Sequence, residues 1–506
     1  MYFFNIFSNN TNNISGGIMK IKKNVKDNLK EIKKLNGNSP DFNTRYIKVK
    51  NKEIGIAFYS SVSSDDKISQ FLIKSVVDTI KHSFIFDNVF SNIFNTLNNN
   101  IYNSTIKKVD NFKDIINYLS NGFTIVFING YKKCIAVETK EILDRGVQKS
   151  ESEITIKGPK DAFTENYNKN IGLIRKRIKD KNLRFEEFII GRRTKSKVSI
   201  AYINDLAEKS RIELIRTKIK NIDIDGILDV GYIRDFLIPD NEAFFPLVLN
   251  TERPDLVCAN LLEGKIAIIM ENTPNALVLP ATFDNFMHSP EDSYQKAINI
   301  TLTRIIRFLA MIVTIATPAL YIAITTFNQE VIPDTLLISL AIQRAGVPFP
   351  TAFATLILML TFEMLRESDM RLPEVMGTSI SIVGALVLGD AAVNAGLVSP
   401  IVVIIVAITS ITSLLFTDLD IINAFRWWRL LFIILSSIIG LIGFIIASIL
   451  LITKLSSLNS FGVPYLIPYS PYNKSLFKEG LITKPHNKLR KRPSYLVKKN
   501  KTRLED

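Results

Sequence analysis

A series of apolar segments between residues 298 and 453, behind a polar first half, constrains this chain more than any other feature. An isolated helix needs about 20 largely apolar residues to cross a bilayer. Residues 298–327 offer them, with Arg304 and Arg307 at their start. Residues 350–365 are a shorter run that ends at charged residues. Residues 375–398 are long enough but rich in small and polar side chains. Residues 401–416 are uniformly apolar. Residues 430–452 are the cleanest run, led in by Trp427, Trp428 and Arg429, an aromatic and basic interface anchor; Ile433 is expected to face lipid. Residues 335–347, which carry Arg344, are too short to span and read as re-entrant or interfacial.

Basic residues orient such segments, because cytoplasmic loops hold the excess of Lys and Arg. Lys296, Arg304 and Arg307 place the start of the first on the cytoplasmic side. The following loops carry Arg344 alone, then Arg366 and Arg371, then none, then Arg426 and Arg429. That alternation fits segments that cross in turn. Five crossings would leave the tail outside, yet it holds Lys484, Lys488, Arg490, Lys491, Arg492, Lys498, Lys499, Lys501 and Arg503. The tail is an exception, or one segment does not cross, or residues 335–347 supply a sixth crossing.

The net charge of +15 sits mainly outside the apolar segments. With membrane segments in the same chain, membrane lipid of anionic type accounts for it. No basic stretch interleaved with aromatics points to nucleic acid. Cys134 and Cys258 lie far apart, and His82, His288 and His486 are isolated, so neither a metal site nor a disulfide framework is expected. No cofactor is expected. No phosphate loop, dinucleotide fingerprint, nucleophilic serine motif or credible carboxylate pair is visible, so no enzyme is expected. The stretch Gly191-Arg-Arg-Thr-Lys-Ser-Lys197 reads as a solvated basic lead-in to a strand. The N-terminal residues lack a basic region and a sustained apolar run, so no secretory signal is expected and the polar half stays on the side where it is made.

Within the polar half, residues 1–42 are Asn- and Lys-rich and read as disordered, with a basic helix between Lys20 and Lys34. Short apolar runs predict strands at residues 53–59, 123–128, 134–137, 198–203 and 266–270; Asn129-Gly130 marks a hairpin. Helical spacing is found at residues 66–80, 161–179 and 209–220. Ile54, Ile56, Ala57, Phe58 and Ile68 recur 144 positions later as Val198, Ile200, Ala201, Tyr202 and Ile212, which is either an internal repeat or the common look of two strand–helix units. The expected fold class is an α+β or α/β cytosolic N-terminal region of two small subdomains, residues 43–140 and 141–296. An α-helical polytopic membrane domain of four to six helices follows at 297–455, then a basic tail at 456–506.

Charged groups in or near hydrocarbon need partners or water. Glu363 falls in the second segment and Asp390 in the third. Glu363, Arg366, Glu367, Asp369 and Arg371 read as an interfacial loop or as an ion-pair network that fixes a fold or gate. Residues 375–398 hold Gly377, Thr378, Ser379, Ser381, Gly384, Gly389, Asp390 and Asn394. Small residues permit close helix packing. The same composition suits a pore wall with Thr378, Ser381, Gly384, Val387, Leu388 and Asp390 on it, where an acidic ring from Asp390 favours cations.

Several stretches together resemble one family: Ile156-Lys-Gly-Pro-Lys-Asp-Ala-Phe-Thr-Glu-Asn166, Gly191-Arg-Arg-Thr-Lys195, Ser289-Pro-Glu-Asp-Ser-Tyr294, Arg371-Leu-Pro-Glu-Val-Met-Gly377 and Ser381-Ile-Val-Gly-Ala-Leu-Val-Leu-Gly389. In this order, over about residues 45–455, they resemble the A subunit of GerA-type spore germination receptors. The resemblance implies a multi-pass protein of the spore inner membrane that works with a nutrient-sensing, transporter-like B subunit and a C-subunit lipoprotein. It also implies self-association into a homo-oligomeric, nutrient-gated cation channel lined by part of residues 378–390. The alternative is a non-conducting scaffold, as the F protein of the spoVA set shares these motifs. A secondary transporter would show repeated membrane halves, which are absent here.

Overall fold

The computed structural model describes Lys20 to Arg503, except residues 38, 51, 83–87, 101–104, 142–152, 154, 156, 239–243, 370–386, 474–476, 478–479 and 481. The chain forms two compact units. The first comprises Met1–Ser152, Lys160–Ile233 and Thr251–Leu277; the second comprises Glu153–Pro159, Arg234–Asn250 and Val278–Asp506.

The first unit is built on alternation. Strands β1 (Phe42–Val49), β2 (Lys52–Tyr59), β3 (Ile106–Val109), β4 (Phe123–Ile128) and β5 (Cys134–Glu138) form an antiparallel sheet in the order β1-β2-β4-β5-β3. Its side chains point alternately to two faces. Ala57, Tyr59, Ile125, Phe127, Cys134 and Ala136 pack under helices α1 (Val25–Leu35) and α4 (Phe112–Ser120). Ile54, Ile56, Phe58, Val126, Ile135 and Val137 pack under a π-helical turn (Lys67–Ile73) that runs into α2 (Lys74–His82), and under α3 (Val89–Asn100). The basic helix expected near Lys20–Lys34 is α1. It is capped by the Asn24 side chain and buries Val25, Asn28 and Ile32, so this part of residues 1–42 belongs to the core. The Lys-rich composition of the segment masks that apolar stripe.

A second sheet repeats the plan. Helix α5 (Tyr167–Arg177) precedes β6 (Leu183–Ile190) and β7 (Ser196–Ile203); α6 (Lys209–Lys220), α7 (Val230–Leu237), β8 (Leu249–Thr251), α8 (Pro254–Leu262), β9 (Ile266–Met270) and β10 (Ala276–Leu279) follow. The strand order is β6-β7-β9-β10-β8, the pattern of the first sheet. Ile54 and Ala57 face Ile128 and Ile125; Val198 and Ala201 face Met270 and Ala267. The 144-residue echo therefore falls on the second strand of each sheet, in the same register. Helix α5 starts six residues later than its periodicity suggests, because Asn166 caps it and the Phe163 amide bonds to Glu252 O at 2.7 Å.

One buried ion pair ties the two sheets together inside this unit. Arg175 of α5 donates to both oxygens of Asp41, just before β1, and to Ser39 Oγ at 2.9 Å. Its guanidinium lies 4.0 Å from the Tyr59 ring centre and 5.0 Å from that of Phe185. Ser39 and Ser61 each donate to Asp41 at 2.7 Å. Burial alone would raise the Asp41 carboxyl; the Arg175 charge and these hydrogen bonds outweigh it and hold the group below its usual range.

The second unit is helical. After α9 (Phe283–Met287), α10 (Ala297–Thr326) leads to α11 (Asp334–Arg344), α12 (Thr351–Asp369), α13 (387–394), α14 (Pro400–Ser413), α15 (Leu419–Ile439) and α16 (Leu441–Ser457). By length and composition α10 and α15 are long and apolar enough to cross a membrane; α14 and α16 are shorter apolar helices.

The apolar run at residues 430–452 is two helices, not one. Gly440 breaks it with φ 65° and ψ −138°, a left-handed backbone that a side chain disfavours. A Cβ there would also lie 2.7 Å from Phe327. Gly443 lets α16 fold back on α15, since a Cβ would sit 2.1 Å from Leu435 O. Ile433, expected to face lipid, is buried at 1% exposure between α15 and its neighbours. The tail returns to the amino end of α10: Arg304 donates to Gly480 O at 2.8 Å, the Thr483 amide to Thr301 at 3.2 Å and the Phe283 amide to Tyr465 O at 2.9 Å.

Replacing Arg175 with Met leaves the Asp41 carboxylate buried and unpaired, and is expected to destabilise the first unit by about 3–5 kcal/mol. The stabilisation carried by Asp41 is present above its ordinary value of 3.8 and is lost as pH falls through its lower folded value. Thermal unfolding of the detergent-solubilised chain at neutral and acid pH checks both; an unchanged melting midpoint in the variant contradicts them.

Candidate functional site

The amino end of α10 carries two arginines on one face, three residues apart. Both pair with Asp292, held in a short 3-10 turn (Pro290–Ser293). Arg307 Nη1 donates to Oδ1 at 3.1 Å and Oδ2 at 2.9 Å, and Arg304 Nε to Oδ2 at 3.2 Å. The Asp292 side chain is 6% exposed. The Ser289–Tyr294 motif thus supplies the counter-charge for this lead-in, and the Arg304/Arg307 spacing was the sequence signal for it. Beside it, Phe245 packs among Phe283, Phe425, Trp428 and Tyr465, with ring centres 6.2–6.4 Å away. Arg234 pairs with Asp420 at 2.9 Å in the first turn of α15.

The second cluster forms around Glu363 on α12. Its Oε2 lies 3.1 Å from Arg366 and 3.0 Å from Arg426, and its Oε1 accepts from Arg429 at 2.8 Å. Glu363 and Arg366 thus stand within ion-pair distance of each other. The other partners of Glu363 come from α15, where Arg426 and Arg429 share a face at i, i+3, a cross-helix pairing that periodicity does not reveal. Glu367 is exposed. Asp369 ends α12, and Arg371 lies outside the described residues.

Of the pore-lining candidates, Thr378, Ser381 and Gly384 lie outside the described residues. Val387, Leu388 and Asp390 fall on α13 and are exposed, Val387 at 58%. Gly389 between them is buried, 3.3 Å from Val403 Cγ1 of α14 by its missing Cβ. Asn394 donates to Asp390 Oδ2 at 3.1 Å. The helix thus rests on α14 through a glycine and turns an apolar and an acidic side chain away from its own bundle.

Elsewhere the chemistry is structural. Arg192 and Arg193 form exposed pairs with Asp223 and Asp225, which fits a solvated face. Cys134 and Cys258 are buried and burial pushes both thiols up, so neither is a ready nucleophile. Among the described residues no His, Cys, Asp and Glu cluster could hold a metal ion.

The family model for the Bacillus/Clostridium GerA spore germination protein matches residues 30–495. Spore germination protein KA of Bacillus subtilis is 35% identical over 96% of this chain and 88% of its own length. Spore germination protein GerLA of Bacillus cereus is 32% identical over 96% and 98%. Among solved structures, the N-terminal domain of the A subunit of the Bacillus megaterium spore germinant receptor GerK3 aligns at 30% identity over 53% of this chain and 98% of its own, with a TM-score of 0.41. The chain belongs to the GerA family, germinant-receptor A subunits involved in spore germination.

Glu363→Gln leaves three guanidinium groups around a neutral amide, and is expected to cost about 2–3 kcal/mol of bundle stability. Removing Arg429 as well should recover part of that loss; strict additivity of the two effects would contradict the cluster. A second expectation concerns Asp418, which caps α15 through the Asp420 and Ile421 amides. Burial, opposed by those amides, pushes its carboxyl up to about 6. Its stabilising contribution is therefore complete below 3.8 and lost as pH rises through about 6. Asp418→Asn keeps the cap and should flatten the melting midpoint across that interval; an unchanged pH slope would sink the assignment.

Proposed function

We propose that this chain is the membrane subunit of a nutrient germinant receptor, multi-pass in the spore inner membrane, which self-associates into a gated cation path along residues 375–398. The observation that carries the reading is α13: Val387, Leu388 and Asp390 face outward while Gly389 holds the helix to α14. Val and Leu at a narrow point can close a path by dewetting, and a ring of carboxylates favours cations. No such ring forms within one chain, so several copies must contribute.

The helix directions support an even number of crossings. α10 and α15 begin together, beside Phe245 and Asp292; α12 and α14 begin near the end of α10 and run back; α16 returns from Gly440. With residues 375–398 counted as a crossing, as their length suggests, the number is six. Six crossings bring the basic tail to the side of Lys296, Arg304 and Arg307, in keeping with the charge rule. The nutrient-sensing B subunit and the C-subunit lipoprotein are its expected partners, as the family resemblance implies.

Replacing Val387 or Leu388 with Asn is expected to cause potassium leak in sporulating cells, whereas the same change at Ile438, 65% exposed, should not. Equal leak from Ile438, or none from either site, would falsify the ion path and favour a scaffold.

A further inference from the structure

At the end of α10 opposite the Asp292 cluster lies a cavity of about 320 Å³. It is at the small end of ligand pockets, which run to about 300–1,000 Å³. Its walls come from α11, the first turns of α12 and α14, and the chain following α10; Gln329, Arg344, Phe349, Thr351, Ser399 and Val402 are among them.

Three features of this cavity are positive, and two hydroxyls lie beside them. Helix α12 starts at Thr351 and α14 at Pro400, so two helix amino ends, each with partial positive charge, open on it. Arg344 adds a full charge; it donates Nη1 to Thr325 O at 3.1 Å, and among the described residues no carboxylate pairs with it. Thr351 and Ser399 are 5% and 3% exposed. The Thr351 hydroxyl has no partner. Ser399 caps α14 without a side-chain cap bond, and its hydroxyl, beside Tyr321, has no partner at hydrogen-bonding geometry. Buried polar groups are rarely left this way unless something else completes them.

A cation would meet the Arg344 charge and two positive helix ends here, and a neutral apolar molecule would leave the hydroxyls and guanidinium unmet. An oxyanion would answer all of them: it pairs with Arg344, accepts from Thr351 and Ser399, and lies at two helix amino ends, the usual place for such a group. We propose that this cavity binds the oxyanion of a small carboxylate or phosphate. The group is either free in solution or the head of an anionic lipid. The proposal rests on the walls of this cavity and not on the ion path.

The full chain in phosphatidylcholine nanodiscs provides the test. Sodium acetate and sodium phosphate are titrated at constant ionic strength while the melting midpoint is followed, and a parallel sample contains phosphatidylglycerol. If the source is soluble, the free anions raise the midpoint saturably. If it is a lipid, the phosphatidylglycerol discs melt higher and no longer respond to free anions. In either case Arg344→Gln should weaken the apparent affinity at least about tenfold, the loss of one charge-assisted bond. Should that variant fail to fold, the Thr351→Val, Ser399→Ala double variant must show the same loss. A wild-type midpoint indifferent to every arm, or variants that respond as the wild type does, would overturn the site.

Discussion

Two arginines at the start of a hydrophobic helix are held by one shared counter-charge, Asp292, which pairs with both. Much of the second unit is arranged around that pairing. Asp292 must be held by the turn after α9, and Arg304 also reaches the tail at Gly480. The aromatic group of Phe245, Phe283, Phe425, Trp428 and Tyr465 then fills the space beside them. The chain thus sets an ion-paired cluster at one end of its apolar helices.

The same physics recurs in the first unit with the opposite setting. Asp41 and Arg175 are buried where two sheets of like topology meet, and the pair is saturated by two serines and two aromatic rings. Such a pair adds little net stability over an apolar contact, but it permits one relative placement of the sheets and penalises others.

Legibility in the sequence followed the reach of each interaction. Strand alternation in β2, β4, β7 and β9 and the helical spacing of α6 are local signals, so residues 209–220 and 266–270 were read with their observed limits. The basic stripe of α1 was visible, but not that Val25 and Ile32 sit in the core, because a Lys-rich composition hides a narrow apolar face. Hydropathy averaged across Gly440 and merged α15 with α16; a single left-handed residue leaves no mark on a hydrophobic run. At the candidate site Glu363 and Arg366 were legible as neighbours, whereas Arg426 and Arg429 reach Glu363 across 63 and 66 positions, through packing alone. The Thr351 and Ser399 hydroxyls are of that kind too, since only the fold brings the starts of α12 and α14 to one cavity.

The return of the tail to the start of the bundle has a consequence for biosynthesis. Phe283 emerges from the ribosome early, but Tyr465, fully buried against it, comes about 180 residues later. At about 5–20 residues per second that is a delay of roughly 10–35 s. Through that interval Phe283 has its earlier neighbour Phe245 but lacks Tyr465. A nascent or truncated product that ends before Tyr465 therefore leaves this aromatic group incomplete and part of its apolar surface open.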